Sequence, residues 1–199
     1  MYSVGVTGGI GSGKSLVCRM LSVLGVPVFE ADEEGRNVLA FDPTVRAGVV
    51  REFGEKVLGP DGRPDRSQLA ERVFRDKEAL LRLNALVHPA VRMRFTAWCK
   101  KQEAPYVAMG SALLIGPDGA PRFDRLVVVS APRQLRLRRV MERDGASAEE
   151  VQRRMDAQAS DEELTQGADA ILINDGRRML LPQVLDLHED LLRRARNHG

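Results

Sequence analysis

Along this chain, short apolar runs of strand length alternate with longer stretches in which apolar residues return at helical spacing. Tyr2 to Thr7 alternates, is β-rich and runs into a cluster of glycines; from Lys14 the apolar positions Val17, Met20, Leu21 and Leu24 recur every three or four residues. This predicts strand, loop, helix. Gly25 ends the helix, and "VPVFEAD", Val26 to Asp32, reads as a second short buried strand with Asp32 just past its end. Two parallel strands joined by a helix form a right-handed crossover unit.

From Glu33 to Gln102 the pattern is mostly helical, interrupted by the turn "GPDGRPD" and by His88-Pro89. "YVAMG" (Tyr106 to Gly110) and "RLVVVSAP" (Arg125 to Pro132) are continuous apolar runs of strand length. Leu135 to Arg143 and Ala148 to Gln158 read as two charged helices hinged at "DGAS", Asp169 to Ile173 as a fifth strand, and Met179 to Arg194 as a closing amphipathic helix. Strands alternating with helices imply a five-stranded parallel sheet with helices on both faces. Two helical excursions, 33–102 and 143–165, interrupt a core made of 1–32, 103–142 and 166–199. In such a sheet the ligand crevice lies at the carboxyl ends of the strands.

Composition narrows the class only a little. The 199 residues, 43% hydrophobic, suffice for one core with an appended subdomain, and a formal charge of +2 drives the molecule towards neither nucleic acid nor membrane. Cys18 and Cys99 stand far apart without a partner motif, so neither a disulfide framework nor a metal knuckle is expected. No apolar run reaches the roughly 18 residues of a membrane span, and the start lacks an export signal. The expectation is a soluble, cytoplasmic protein, monomeric by default.

The candidate chemistry begins with "GVTGGIGSGKSLV", in which Gly8, four residues, and Gly13-Lys14-Ser15 have phosphate-loop spacing. Glycines let the backbone turn N–H groups inward onto phosphate oxygens, and the helix N-terminus adds a favourable field. The expected nucleotide-binding stretch is Gly9, Gly11, Ser12, Gly13, Lys14, Ser15 and Leu16, with Lys14 as the cation on the outer phosphates and the Ser15 hydroxyl as a ligand for Mg²⁺. The chain carries no Asn-Lys-x-Asp guanine signature, and its strand "LVVVS" does not end in an acid. A small-molecule kinase with ATP as donor is favoured. Such an enzyme needs a group to orient or deprotonate the acceptor hydroxyl, and Asp32 is the candidate; from spacing alone it is equally an N-cap for a helix starting at Glu33.

The chain resembles the dephospho-CoA kinases. "VGVTGGIGSGKS" followed by "VFEAD" looks like that family's opening; "FGEKVLGPDGRPDRSQLAERVFRD" and "LNALVHP" look like its central block. "RRVMERDGASAEEVQRRMDAQ" is similar to its lid and "ADAILINDG" to its final strand and turn. The resemblance implies a P-loop kinase-like fold whose inserted helical domain, 33–102, binds the acceptor, and whose lid is 143–165. It implies transfer of the ATP γ-phosphate to the ribose 3′-hydroxyl of dephospho-CoA, with Asp32 as catalytic base. Substrate-binding roles fall on Arg66, Asn84 and His88, and Asn174 and Gly176 fall near the adenine.

The lid arginines have two readings. Arg139 and Arg143 lie four apart on one helix face, and Arg154 with Gln158 repeats the spacing. Spacing alone also fits a solvated hairpin with surface ion pairs; the resemblance makes Arg139 a catalytic and Arg143 a nucleotide contact, with Arg154 a further candidate. His88 is either the cap of a helix that starts at Pro89 or a contact of the acceptor site. Where the family commonly carries two carboxylates, this chain has "GSALLIG", with Gly110 and Gly116, which implies either reduced activity or replacement by water, Asp118 or Asp124. Two alternatives stand beside the leading one: a kinase of another small acceptor, and an ATP-binding relative without chemistry.

Overall fold

The structure is a computed structural model that describes residues 1–111 and 123–198; for Arg66, Ala70, Glu71, Phe74, Arg75 and Lys77 it describes the backbone alone. The chain divides into two compact units, one of residues 1–30 and 101–199, the other of residues 31–100.

The first unit is built on five parallel strands, β1 (Tyr2–Thr7), β2 (Val28–Glu30), β3 (Tyr106–Gly110), β4 (Arg125–Ser130) and β5 (Ala170–Ile173), in the order β2-β3-β1-β4-β5. Glu30 pairs with Gly110 and Gly110 with Val6, so β2, β3 and β1 end level with one another. Alternate residues of β1, β3 and β4 (Val4, Val6, Tyr106, Ala108, Val127 and Val129) share one core with Val17 and Leu21 of α1 (Lys14–Val23) and Val184 and Leu191 of α9 (Leu180–Arg196). Val107, Met109 and Val128, on the other face of these strands, are equally buried. Burial on both faces is why β3 and β4 read as continuous apolar runs. Removing a side chain such as Leu21 from this core would cost about 2–5 kcal/mol.

Three further helices complete this unit: α6 (Arg133–Asp144), α7 (Ala148–Asp156) and α8 (Asp161–Gln166). Each starts or stops for a local reason. Gly145, at φ 65°, ends α6; the Ser147 hydroxyl caps α7; and α8 opens on a capping box between Ser160 and Glu163. A small separate core of Val140, Val151 and Met155 joins α6 to α7, and Ile10 of the glycine loop packs against it.

The second unit holds α2 (Ala31–Phe41), α3 (Pro43–Phe53), a 3-10 turn (Glu55–Val57), α4 (Arg66–Arg75) and α5 (Lys77–Cys99). An aspartate caps the start of three of these helices: Asp42 accepts from Thr44 and Val45, Asp65 from Ser67 and Gln68, and Asp76 from Glu78. Arg94 pairs with Glu34, and Arg82 with Glu52 at 2.7 Å, tying α5 to α2 and α3.

Two local expectations give way. The second strand stops at Glu30 and α2 starts at Ala31, so Asp32 sits in the first helical turn with Glu33 and Glu34 and is no N-cap. Carboxylates there are favoured by the positive end of the helix dipole. Pro89 does not open a helix either: α5 runs through it, and His88 lies mid-helix. Proline lacks one N–H, which removes a single i to i−4 bond, while buried Ala90, Val91 and Phe95 hold the helix beyond it.

Candidate active site

The glycine loop leaves the carboxyl end of β1 and enters α1 at Lys14. Gly13 occupies the cap position at φ 103°, a backbone conformation that side chains disfavour, and supplies no capping oxygen to the N–H groups of the first turn. Lys14 and the exposed Ser15 stand in that turn. A helix N-terminus capped by no side chain, with a lysine and a hydroxyl beside it, presents a field that favours an anion. Not every loop residue offers an N–H. Ser12 donates to Gly9 O at 3.0 Å and Leu16 to Gly13 O at 3.0 Å, which closes the loop and starts the helix. The hydroxyls of Thr7 and Ser12 are buried, with no hydrogen-bond partner among the described residues.

The outer surface of the loop is held from residues more than 100 positions away. Ile10 N–H donates to Gln158 Oε1 at 2.8 Å, and Asn174 Nδ2 donates to Ser12 O at 2.7 Å. Arg139 donates to Gly11 O at 3.4 Å, to Asn174 O at 3.2 Å and to Asn174 Oδ1 at 3.3 Å. A Cβ on Gly13 would overlap Asn174 Nδ2, and one on Gly9 would overlap Arg136 Nη1. The structure thus brings Gly9, Gly11, Ser12, Gly13, Arg139 and Asn174 together.

Arg143 is turned elsewhere. Its guanidinium meets Asp144 at 2.7 and 3.0 Å, and Arg154 reaches the same carboxylate at 3.2 Å. The Arg143 bonds, followed by the Arg154 charge, hold the Asp144 carboxyl below the usual carboxylate range, and the Arg143 guanidinium is raised in turn by Asp144. Asp144 is solvent-exposed, so these pairs contribute little stability.

At the end of β3, Gly110 leaves space that its neighbours fill. A Cβ there would lie 2.8 Å from Cys18 Sγ and 3.1 Å from Glu30 Oε2, so among the described residues the carboxylate beside this strand end is Glu30 of β2. Asp124 does not stand in for it. It accepts from Ser3 N–H at 2.7 Å and Ser3 Oγ at 2.8 Å and pairs with His198. Ser3 is at the amino end of β1 beside Val107, three residues of strand or about 10 Å from the Gly110 level. Gly116 and Asp118 lie outside the described residues.

In the helical unit, Asp32 is exposed in the first turn of α2, two residues beyond Glu30. Asn84 and His88 lie one helical turn apart on α5, both half-buried, and the Arg66 side chain lies outside the described residues. Sequence reasoning missed Arg136, which is 5% exposed. The signal was its position four residues before buried Val140, on the apolar stripe of α6.

A parallel sheet ordered β2-β3-β1-β4-β5, a glycine loop after β1 and a lysine and serine opening α1 define a P-loop kinase-like nucleotide-binding protein. Comparisons sharpen that class. Residues 2–179 match the family described as "Dephospho-CoA kinase". A relative in Thermobifida fusca so named is 40% identical over 98% of each chain, and one in Bacteroides fragilis is 40% identical over 92% of this chain and 90% of its own. A crystal structure from Thermus thermophilus superimposes with a TM-score of 0.83 at 37% identity, covering 95% of this chain and 96% of that one. Shikimate kinase from Acinetobacter baumannii shares the fold alone, at a TM-score of 0.53 and 13% identity over 98% and 94% of the two chains. The chain belongs to the dephospho-CoA kinase family.

Proposed function

We propose that this protein transfers the γ-phosphoryl group of ATP to the ribose 3′-hydroxyl of dephospho-CoA, giving CoA and ADP, the last step of CoA synthesis. The observation that carries this reading is the α1 terminus, capped by no side-chain hydrogen bond and opening on Lys14 and Ser15, in a chain that matches dephospho-CoA kinases over nearly its full length.

The donor phosphates lie in the loop, where Lys14 neutralises the outer charge. The Ser15 hydroxyl, exposed in the first turn of α1, is a hard oxygen donor that fits Mg²⁺ and would hold it beside the phosphates. The ion would offset phosphate charge there. Asp32 orients the 3′-hydroxyl and accepts its proton. The bonds of Arg139 to Gly11 and Asn174 are long, which leaves this guanidinium able to turn onto the transferring group, with Arg143 following from the end of α6. Arg66, Asn84 and His88 contact the acceptor in the 31–100 unit. The enzyme works in the cytoplasm as a monomer, and among the described residues no helix is long and apolar enough to cross a membrane.

Coupled ADP release with a panel of acceptors tests the reading. Dephospho-CoA should stimulate release, and nucleoside monophosphates and shikimate should not. Stimulation by one of those others instead would transfer the chain to a different acceptor, and no stimulation by any of them would leave an ATP-binding protein without chemistry.

A further inference from the structure

Arg136 is a buried cation without a place in the reaction. Its Nε donates to Ala131 O at 3.0 Å, and its Nη2 donates to both oxygens of Asp161, at 2.8 and 2.7 Å. Its Nη1 lies against the Cα of Gly9, where a side chain would stand, and its own backbone presses on Gly11. A buried guanidinium must be paired, and removing one partner of such a pair leaves an uncompensated charge. Asp161 is the first residue of α8, in the lid segment, and its side chain is half-exposed. One side chain therefore joins three things: the end of β4 through Ala131, the loop through Gly9, and the lid through Asp161.

We propose that Arg136 and Asp161 are positioning residues that set the phosphate loop from outside: the carboxylate on α8 fixes the guanidinium, and the guanidinium is the surface on which Gly9 rests. The shape of the phosphate cradle then depends on where α8 sits, so that lid and loop are one mechanical element. Two further links run the same way, Ile10 packing on the α6–α7 core and Gln158 accepting from Ile10 N–H. Neither Arg136 nor Asp161 need touch nucleotide. Gly9 is glycine for steric reasons, because its backbone is not in the left-handed region and the overlap is with Arg136. This inference rests on the reading of the loop as a phosphate site.

The test uses the full-length chain. In Asp161→Asn, amide hydrogen exchange at residues 9–12 of the nucleotide-free protein should speed up about tenfold, and ADP affinity should fall about tenfold, the effect of weakening one charge-assisted bond. The melting temperature should move by only a few degrees. A merely structural role would lower the melting temperature and leave loop exchange and ADP affinity at wild-type values. Gly9→Ala should abolish ADP binding, and adding Arg136→Ala should restore part of it, since the overlapping group is gone. Equal loss with and without Arg136 overturns the steric claim. The exchange measurement decides the proposal even if the wild type fails to bind ADP, a result that would count against the proposed function instead.

Discussion

The two units reach their order by different routes. In the 31–100 unit, helix starts are written locally: Asp42, Asp65 and Asp76 each cap the helix that follows within three residues. Half-exposed pairs such as Arg82–Glu52 then tie the helices together, each contributing about 0–1 kcal/mol. In the other unit, the glycine loop is shaped by residues such as Gln158 and Asn174, far along the chain. The difference teaches where tolerance lies. A methyl added to Gly35 in the helical unit would meet only Val87 at 3.8 Å, whereas one on Gly9 of the loop would overlap the buried Arg136 guanidinium and one on Gly13 the anchored Asn174 amide.

Four substitutions sharpen that contrast, in descending order of effect. Asp32→Asn should lower kcat about 10³-fold while leaving ADP affinity unchanged, as loss of a general base requires; a steady-state assay beside calorimetric titration of ADP separates the two. Gly13→Ala, forced to φ 103° and into Asn174, should weaken ADP binding about 100-fold. Its tolerance in the same titration would mean that the loop is not braced as described. Asp65→Ala removes a cap from α4 and should cost about 1 kcal/mol in urea unfolding, with ADP affinity intact. Gly35→Ala should do the reverse. This glycine is inside α2, and an added methyl would find only Val87 at 3.8 Å, so a gain of about 0.5–1 kcal/mol with unchanged turnover is expected. A loss there would show that Gly35 is held as tightly as the loop glycines.

Much of this was legible from residue order, because the elements obey local rules. The five strands fall close to where residue order placed them, β1 as a β-rich alternation and β3 and β4 as apolar runs, and the loop lies where the spacing of Gly8, Gly13, Lys14 and Ser15 put it. What stayed hidden depends on distance. Arg136 looks like one arginine among several in "RLRRVMER", and nothing nearby tells that Asp161, 25 residues on, will receive it, or that Gly9 will lie against it. The helix beginning at Ala31 was misread because "VFEAD" has equal claims to strand and helix, and tertiary packing chose. Pro89 misled for the opposite reason: a strong local signal was overridden by the buried face of a 23-residue helix. The replacement of a missing acid near Gly110 was sought along the chain, at Asp118 or Asp124; Asp118 lies outside the described residues, and among those described the carboxylate beside Gly110 is Glu30, on the adjacent strand.

The most direct measurement follows phosphorus-31 resonances as the protein acts on ATP and dephospho-CoA. The account predicts a new phosphomonoester on the ribose 3′-oxygen, growing in step with ADP and absent when either substrate is withheld. ADP accompanied only by inorganic phosphate, at the same rate with and without dephospho-CoA, would contradict it.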